Sequence, residues 1–317
     1  MLRLGQTGLK VSPLCFGTLA LSPLQGYNDV ERGAAVLRYA FEKGVNFLDT
    51  AEIYDNYPVI RRALSSFAGD IVVASKSYAY TREQMVQSIE KARRELDRDT
   101  IEIFMLHEQE SMYTLNGHRE ALNYLCEAKE RGLVRAIGIS THAIAGVRAA
   151  ASLPEIDVIH PIVNRQGLGI IDGDLAGMLG ALEFAAQMGK GIYAMKALGG
   201  GHLAQSPVDA LKFVANIPAV ASVAVGMCGE VEVDINWAVL TGTDVPADLL
   251  ASSLAQRRRL YIADWCEGCG KCVARCPQSA LYLKEEQAHV DAAKCVLCGY
   301  CGGVCPQFCI KIIKEVI

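Results

Sequence analysis

Short runs of almost continuous apolar residues alternate with amphipathic segments along the first three quarters of the chain. The runs cover residues 14–18, 46–50, 71–76, 101–107, 134–140, 158–164, 191–198 and 222–227. Between them, residues 30–43, 82–97, 119–131 and 174–188 carry apolar positions at three- and four-residue spacing, the helical period. Strands that are nearly all apolar, each followed by a helix, predict a parallel sheet covered by helices. Eight such units over about 240 residues match the size of a (β/α)8 TIM barrel in the α/β class. A doubly wound sheet would want fewer strands and a glycine-rich first turn, whereas Gly199-Gly200-Gly201 follows the seventh run. A hairpin over residues 2–4 and 9–11 precedes the barrel, which we place at residues 1–243. The rhythm breaks at Pro246, and residues 244–260 are expected to form a helical connector.

The remaining segment, residues 261–317, carries Cys-x2-Cys-x2-Cys-x3-Cys-Pro twice. Cys266, Cys269, Cys272, Cys276 and Pro277 make the first run; Cys295, Cys298, Cys301, Cys305 and Pro306 make the second. The pattern resembles a bacterial-type ferredoxin with two [4Fe–4S] clusters, a small α+β domain built on an internal duplication. In that type the fourth cysteine of each run serves the other cluster. The expected ligand sets are therefore Cys266, Cys269, Cys272 and Cys305 on one cluster, and Cys295, Cys298, Cys301 and Cys276 on the other. Zinc is the competing ligand, but its spaced pairs give no reason for three cysteines at a three-residue repeat followed by a fourth and a proline. Cys309 is expected to be a packed thiol near the clusters. Cys15, Cys126 and Cys228 lie in apolar surroundings and read as buried small hydrophobes.

Composition narrows the function. With 51% hydrophobic and 21% charged residues the chain has material for a large core, and a net charge of −4 argues against a nucleic-acid partner. Arg257-Arg258-Arg259 is the one basic run and is expected to be a solvated helix end. The apolar stretches fall short of the eighteen residues or so of a membrane helix. Met1-Leu2-Arg3-Leu4-Gly5 runs straight into turn residues, so we expect no secretory leader and a reduced, cytoplasmic setting.

In a barrel the chemistry sits at the strand C-termini. Polar residues interrupt the apolar series there: Asp49, Lys76 and His107, with Tyr54 five residues beyond Asp49. Asp49-Thr50-Ala51-x-x-Tyr54, Lys76 after Val72-Val73-Ala74-Ser75, and His107 after Phe104-Met105-Leu106 resemble the Asp, Tyr, Lys and His of the aldo-keto reductase family. Residues 4–12 and 134–140 are similar to that family too, and the likeness covers about residues 1–240. The nearest resemblance is to the branch that ends in a ferredoxin-like domain. It implies an oxidoreductase interconverting a carbonyl and an alcohol, with Tyr54 as proton donor and His107 orienting the carbonyl. A nearby ammonium lowers a phenol's pKa, so Lys76, held by Asp49, is expected to make Tyr54 a usable acid.

The resemblance also implies a nicotinamide, its carboxamide held by Ser140 and Asn164 and its phosphates by the loops after the seventh and eighth strands. Met195, beside Lys196, stands where many members stack an aromatic ring. The segment after the eighth strand runs Gly226-Met227-Cys228-Gly229-Glu230-Val231-Glu232, with Asn236 matching the family. Glu232 would repel a 2′-phosphate yet could bond a ribose hydroxyl, which favours NAD(H) over NADP(H), with Lys196 the cation that could rescue a phosphate. Three roles for the joined halves follow: a nicotinamide-dependent enzyme with structural clusters, a flavin enzyme wired to an external ferredoxin or another redox protein, or single-electron chemistry without nicotinamide. A non-catalytic electron-transfer protein is the alternative outside enzymology. Residues 108–117 and 167–173 are candidate substrate loops.

Overall fold

The structure, a computed structural model, describes the whole chain except Gly26, Gln256 and residues 315–317, with the side chain of Lys314 also left aside. A two-stranded hairpin, β1 (Leu2–Arg3) and β2 (Lys10–Val11), opens the chain. Eight parallel strands then close a barrel: β3 (Leu14–Gly17), β4 (Phe47–Asp49), β5 (Val72–Ser77), β6 (Ile101–Leu106), β7 (Val134–Thr141), β8 (Val158–Pro161), β9 (Gly191–Ala194) and β10 (Ser222–Gly226). The last strand pairs with the first, Val223 opposite Leu14 and Gly226 opposite Gly17. The expected TIM barrel is therefore present.

Alternation along each strand builds two cores. Inward residues such as Cys15, Phe47, Ala74, Ile103, Met105, Ala136, Val158 and Tyr193 fill the barrel, and Leu4, Leu9 and Val11 of the hairpin plug its floor. Outward residues pack under the helices α1 (Val30–Glu42), α2 (Tyr57–Leu64), α3 (Arg82–Leu96), α4 (Met112–Gly117), α5 (Arg119–Glu130), α6 (Ile144–Ser152), α7 (Leu175–Gln187), α8 (Pro207–Ala215) and α9 (Glu230–Thr241). Several start where the chain supplies a cap: Asp29 accepts from the Arg32 amide, Asp174 from that of Gly177, and Thr81 with Gln84 forms a capping box. Strands β8 and β9 stop earlier than the apolar runs suggest. Ile162 and Met195 still touch as a single bridge, but Lys196 takes φ +62° and leaves the extended conformation. Asn164, Met195 and Lys196 thus sit in loops above the barrel.

The connector contains the expected helix, α10 (Ala247–Ala255), yet its last residues are not a solvated helix end. Arg258 and Arg259 begin β11 (Arg258–Ile262), which pairs antiparallel with β14 (Ile310–Lys314), Leu260 opposite Ile312. Leu260 and Ile312 are buried apolar residues, and burying them in a common core draws the arginines into the sheet. The rest of the tail is helix α11 (Lys271–Arg275), the hairpin β12 (Leu281–Lys284) with β13 (Gln287–Val290), and a single 3-10 turn at Gly302–Val304. One short helical turn per cysteine run is what the internal duplication predicts.

The tail sits on the barrel mouth. Gly199-Gly200-Gly201, beyond β9, forms a turn with all three glycines at positive φ, and a Cβ on Gly201 would collide with the Ile312 carbonyl. A Cβ on Gly200 would lie 3.2 Å from the Phe308 ring, and one on Gly169 2.8 Å from it. Phe308 is buried in the barrel's own helix-side core. His202 bonds the Ile310 carbonyl at 3.1 Å. Residues 167–173, read as a substrate loop, therefore help to seat the tail, because the glycine at 169 leaves room for Phe308. Gly201→Ala should cost about 2 kcal/mol or more, from the positive φ and the backbone collision together; anaerobic denaturant unfolding measures it.

Candidate active site

Asp49 ends β4 and Lys76 lies next to last on β5, and adjacent parallel strands bring them together. Lys76 Nζ donates to Asp49 Oδ1 at 2.8 Å, to Oδ2 at 2.9 Å and to the Thr50 carbonyl at 2.7 Å. Both side chains are buried, so removing either partner would strand a charge out of water. The Tyr193 hydroxyl also donates to Asp49 Oδ2, at 2.7 Å. His160 Nε2 stands 3.5 Å from the same oxygen, its ring stacked on Tyr193 at 3.9 Å between centroids. Burial alone would raise the Asp49 pKa, but Lys76, His160 and Tyr193 outweigh it and hold the carboxyl below its usual value. His160 and Tyr193 point inward from β8 and β9, and their only signal in the sequence was polar atoms inside otherwise apolar runs.

Tyr54 lies over this pair, half-buried, with Lys76 Nζ 5.1 Å from its ring centroid. His107 meets it edge-on at 6.1 Å and stacks on Tyr78 at 4.3 Å. The four residues do converge, but the expected acidification of the phenol does not follow. Lys76 spends its hydrogen bonds on Asp49 and Thr50, while burial, Asp49 and Glu108 push the Tyr54 pKa well above the usual phenol value. Tyr54 is a firmly protonated donor. Burial, then Lys76, His160, His142 and Lys196, drives the His107 pKa well down, so its imidazole is neutral. Its Nδ1 is buried with no partner, and a bound molecule could supply one.

A cavity of about 260 Å³ opens in front of Asp49, Tyr54 and His160. Met195, Lys196, Gly226, Glu232 and Asn236 line it, and so do Arg258, Lys311, Ile312 and Ile313 of the tail. Ser140 and Asn164 are not among the lining residues. The Ser140 hydroxyl accepts from the Glu108 amide at 2.9 Å, and its carbonyl accepts from Gln109. The Asn164 amide donates to the Leu168 carbonyl and accepts from Gln166 and Leu168, which folds the loop that carries Gly167 and Gly169. Both side chains already help to shape loops, and neither lines the cavity. Glu232 reaches back to the Cys228 amide at 2.7 Å, within the first turn of α9.

Several cysteines of the two runs lie near one another in the tail. Cys276, Cys295, Cys298 and Cys301 line a single cavity of the tail. Around Cys272 the thiols close enough to act on it are Cys305, Cys266 and Cys269, which after burial push its pKa up. Burial, with Cys295 and Cys298 adding to it, pushes Cys301 up to about 12. Crowded thiols that resist ionising together are the setting an iron core relieves. Cys309, buried, lies 3.3 Å from Cys305 as a packed thiol. Cys15 is buried too, whereas Cys126 and Cys228 are half-buried, because each keeps one side open to the surface or the cavity.

Residues 13–240 match the model of the Aldo/keto reductase family. The chain belongs to that family. Residues 259–306 match a 4Fe-4S dicluster domain, so this member is an oxidoreductase-family barrel carrying iron–sulfur clusters. Among curated proteins it is 27% identical over 202 residues to probable aldo-keto reductase 1 of Glycine max, covering 53% of this chain and 57% of that one. It is 28% identical over 181 residues to L-galactose dehydrogenase of Arabidopsis thaliana, covering 53% of each chain. The chain thus spans about half the length of the curated relatives it matches. Among solved structures, a putative aldo-keto reductase from Pseudomonas aeruginosa aligns with a TM-score of 0.66 at 26% identity, covering 76% of this chain and 94% of that one. Among the described residues no helix is long and apolar enough to cross a membrane.

The buried histidines give this aldo-keto reductase an acid-sensitive core. The His160 pKa is lowered to about 4, by burial first and Lys76 with it, and that of His142 to about 3. The unfolded chain takes up these protons near pH 6.5 and the folded one does not, so stability holds above pH 7 and falls between about 6.5 and 4. His160→Gln should remove on the order of 2 kcal/mol of that fall at pH 4.5, read from urea unfolding across pH.

Proposed function

We propose that this aldo-keto reductase interconverts a small-molecule carbonyl and its alcohol at the barrel mouth, with Tyr54 as the proton donor. The observation that carries the reading is the Asp49–Lys76 pair locked beneath the Tyr54 ring, with neutral His107 at the ring's edge and the cavity in front. Tyr54 would give one proton to the developing alkoxide, and the remaining hydride equivalent, two electrons and a proton, would come to the carbonyl carbon from a bound hydride donor or from reduced clusters one electron at a time with a solvent proton. Ionising a phenol in this setting is costly, and the transfer is driven by neutralising the charge that builds on the alkoxide. His107, with Nδ1 or Nε2 protonated, donates to the carbonyl oxygen and sets its direction. Asp49 holds Lys76 in place and does not itself meet the substrate.

The two [4Fe–4S] clusters would be held by Cys266, Cys269, Cys272 and Cys305, and by Cys295, Cys298, Cys301 and Cys276; when bound they supply one-electron carriers at the roof of the cavity. What supports a working role rather than a decorative one is that the same tail lends Lys311, Ile312 and Ile313 to the catalytic cavity. A second reading, in which NAD(H) supplies the hydride, rests on Met195, Gly226, Glu232 and Asn236 lining that cavity. It requires the loops that hold Ser140 and Asn164 to rearrange. If a nicotinamide binds, Glu232 favours NAD(H) over NADP(H).

The deciding experiment is anaerobic purification with iron and sulfide assay and extraction of any flavin or nicotinamide, followed by carbonyl reduction with reduced ferredoxin, NADH and NADPH in parallel. Tyr54→Phe should lower carbonyl reduction at least 100-fold while iron content and reducibility of the clusters stay unchanged; equal activity in the variant would remove Tyr54 from the chemistry. Cys305→Ala should lose iron from the cluster that the first run serves, leaving about half the iron of the parent protein. Loss of both clusters in equal measure from a folded variant would argue against the crossed arrangement.

A further inference from the structure

Two lysines, one from each domain, line the catalytic cavity. Lys196 comes from the barrel just beyond β9, Lys311 from β14 of the tail, and both line the space in front of Tyr54. Lys311 is only 5% exposed. Among the described residues neither ammonium has a carboxylate in ion-pair contact. Each rests on an aromatic face instead: Lys196 Nζ lies 5.5 Å from the Phe308 ring centroid, and Lys311 Nζ 4.4 Å from that of Trp265. A ring face answers one side of an ammonium and leaves N–H donors to spare.

The nearby acids are engaged elsewhere. Glu108 accepts the Tyr78 hydroxyl at 2.6 Å, and Asp49 is taken up by Lys76 and Tyr193. Lys196 also holds φ +62°, a conformation costly for a residue with a Cβ. Enclosing two like charges works against folding, and burial followed by the neighbouring Lys196 lowers the Lys311 pKa to about 7. A hydrophobic pair would seat the tail better. Strain and charge kept at one spot, and aimed into a cavity, point to something bound there.

We propose that Lys196 and Lys311 form an anion subsite shared between the two domains, which takes a carboxylate or phosphate group of the molecule bound in front of Tyr54. A carboxylate would belong to an oxo-acid or hydroxy-acid substrate, a phosphate to a substrate or cofactor phosphate. In either case the anion bridges barrel and tail, so ligand binding tightens the seat of the cluster domain. The subsite adds a charge class to the carbonyl reading above and rests on it only for calling the ligand a substrate.

Anaerobic calorimetry on the full-length, cluster-loaded protein tests it with 4-oxobutanoate, uncharged butanal and inorganic pyrophosphate. At least one of the two anions should bind, and 4-oxobutanoate should outbind butanal at least tenfold if the carboxylate is the natural group. Lys196→Met and Lys311→Met should each weaken the bound anion at least tenfold, leave butanal within twofold, and raise the thermal midpoint by removing the repulsion. Lys311→Arg should keep anion affinity within about threefold. A loss confined to 4-oxobutanoate assigns the subsite to a substrate carboxylate; a loss confined to pyrophosphate assigns it to a phosphate. The proposal is overturned if neither anion binds the parent protein, if iron-replete Met variants bind the anion as tightly as the parent, or if butanal weakens equally. Should Lys311→Met lose its iron, the barrel-side Lys196→Met carries the same test. Binding is read rather than turnover, so an inactive carbonyl assay leaves this outcome standing on its own.

Discussion

A carboxylate buried at the mouth of a barrel has to be neutralised, and the way Asp49 is neutralised organises everything around it. Lys76 brackets both carboxylate oxygens from the next strand, Tyr193 donates from the far side of the barrel, and His160 stands behind. Four strands are thereby tied through one side chain. The arrangement also bears on the state of Tyr54, which lines the cavity, and of His107 at its ring edge. Burial, with Asp49 and Glu108 beside it, keeps Tyr54 protonated, and burial, with Lys76 the next contributor, keeps His107 neutral. A protonated phenol and a neutral imidazole therefore stand edge to face at the barrel mouth.

The second constraint is steric. A cluster domain can roof the barrel only if the loops after β8 and β9 yield space, and they do so with glycine. Gly169, Gly200 and Gly201 leave room for Phe308 and the β14 backbone, and Asn164 folds the first of these loops with its own amide. The loops that the family resemblance assigns to cofactor phosphates are here occupied in part by protein. Tail and barrel therefore share a cavity rather than merely a linker, and residues 311–313 become part of the active-site wall.

Much of this was legible beforehand. Eight apolar runs with helices between them specify a barrel because a strand buried on both faces cannot afford polar positions, and the polar exceptions at Asp49, Lys76 and His107 were visible for the same reason. The cysteine spacing specified the tail, since a short-range repeat of thiolates has few other uses. Less visible were His160 and Tyr193, whose polar atoms are hidden within apolar runs until strand register aims them at Asp49. Ser140 and Asn164 matched the family motif in type, yet their hydrogen bonds go to neighbouring backbone.

Local pattern, then, determined which residues form strands, which thiols cluster, and which polar groups stand at strand ends, because each depends on spacing within a few residues. Only the tertiary structure decided that Arg258 and Arg259 join a sheet, that Tyr54 keeps its proton, and that a lysine from the tail lines the same cavity as one from the barrel. Those outcomes depend on the distance between charges and on the room between backbones that lie far apart in the chain, and neither quantity is written in the order of residues.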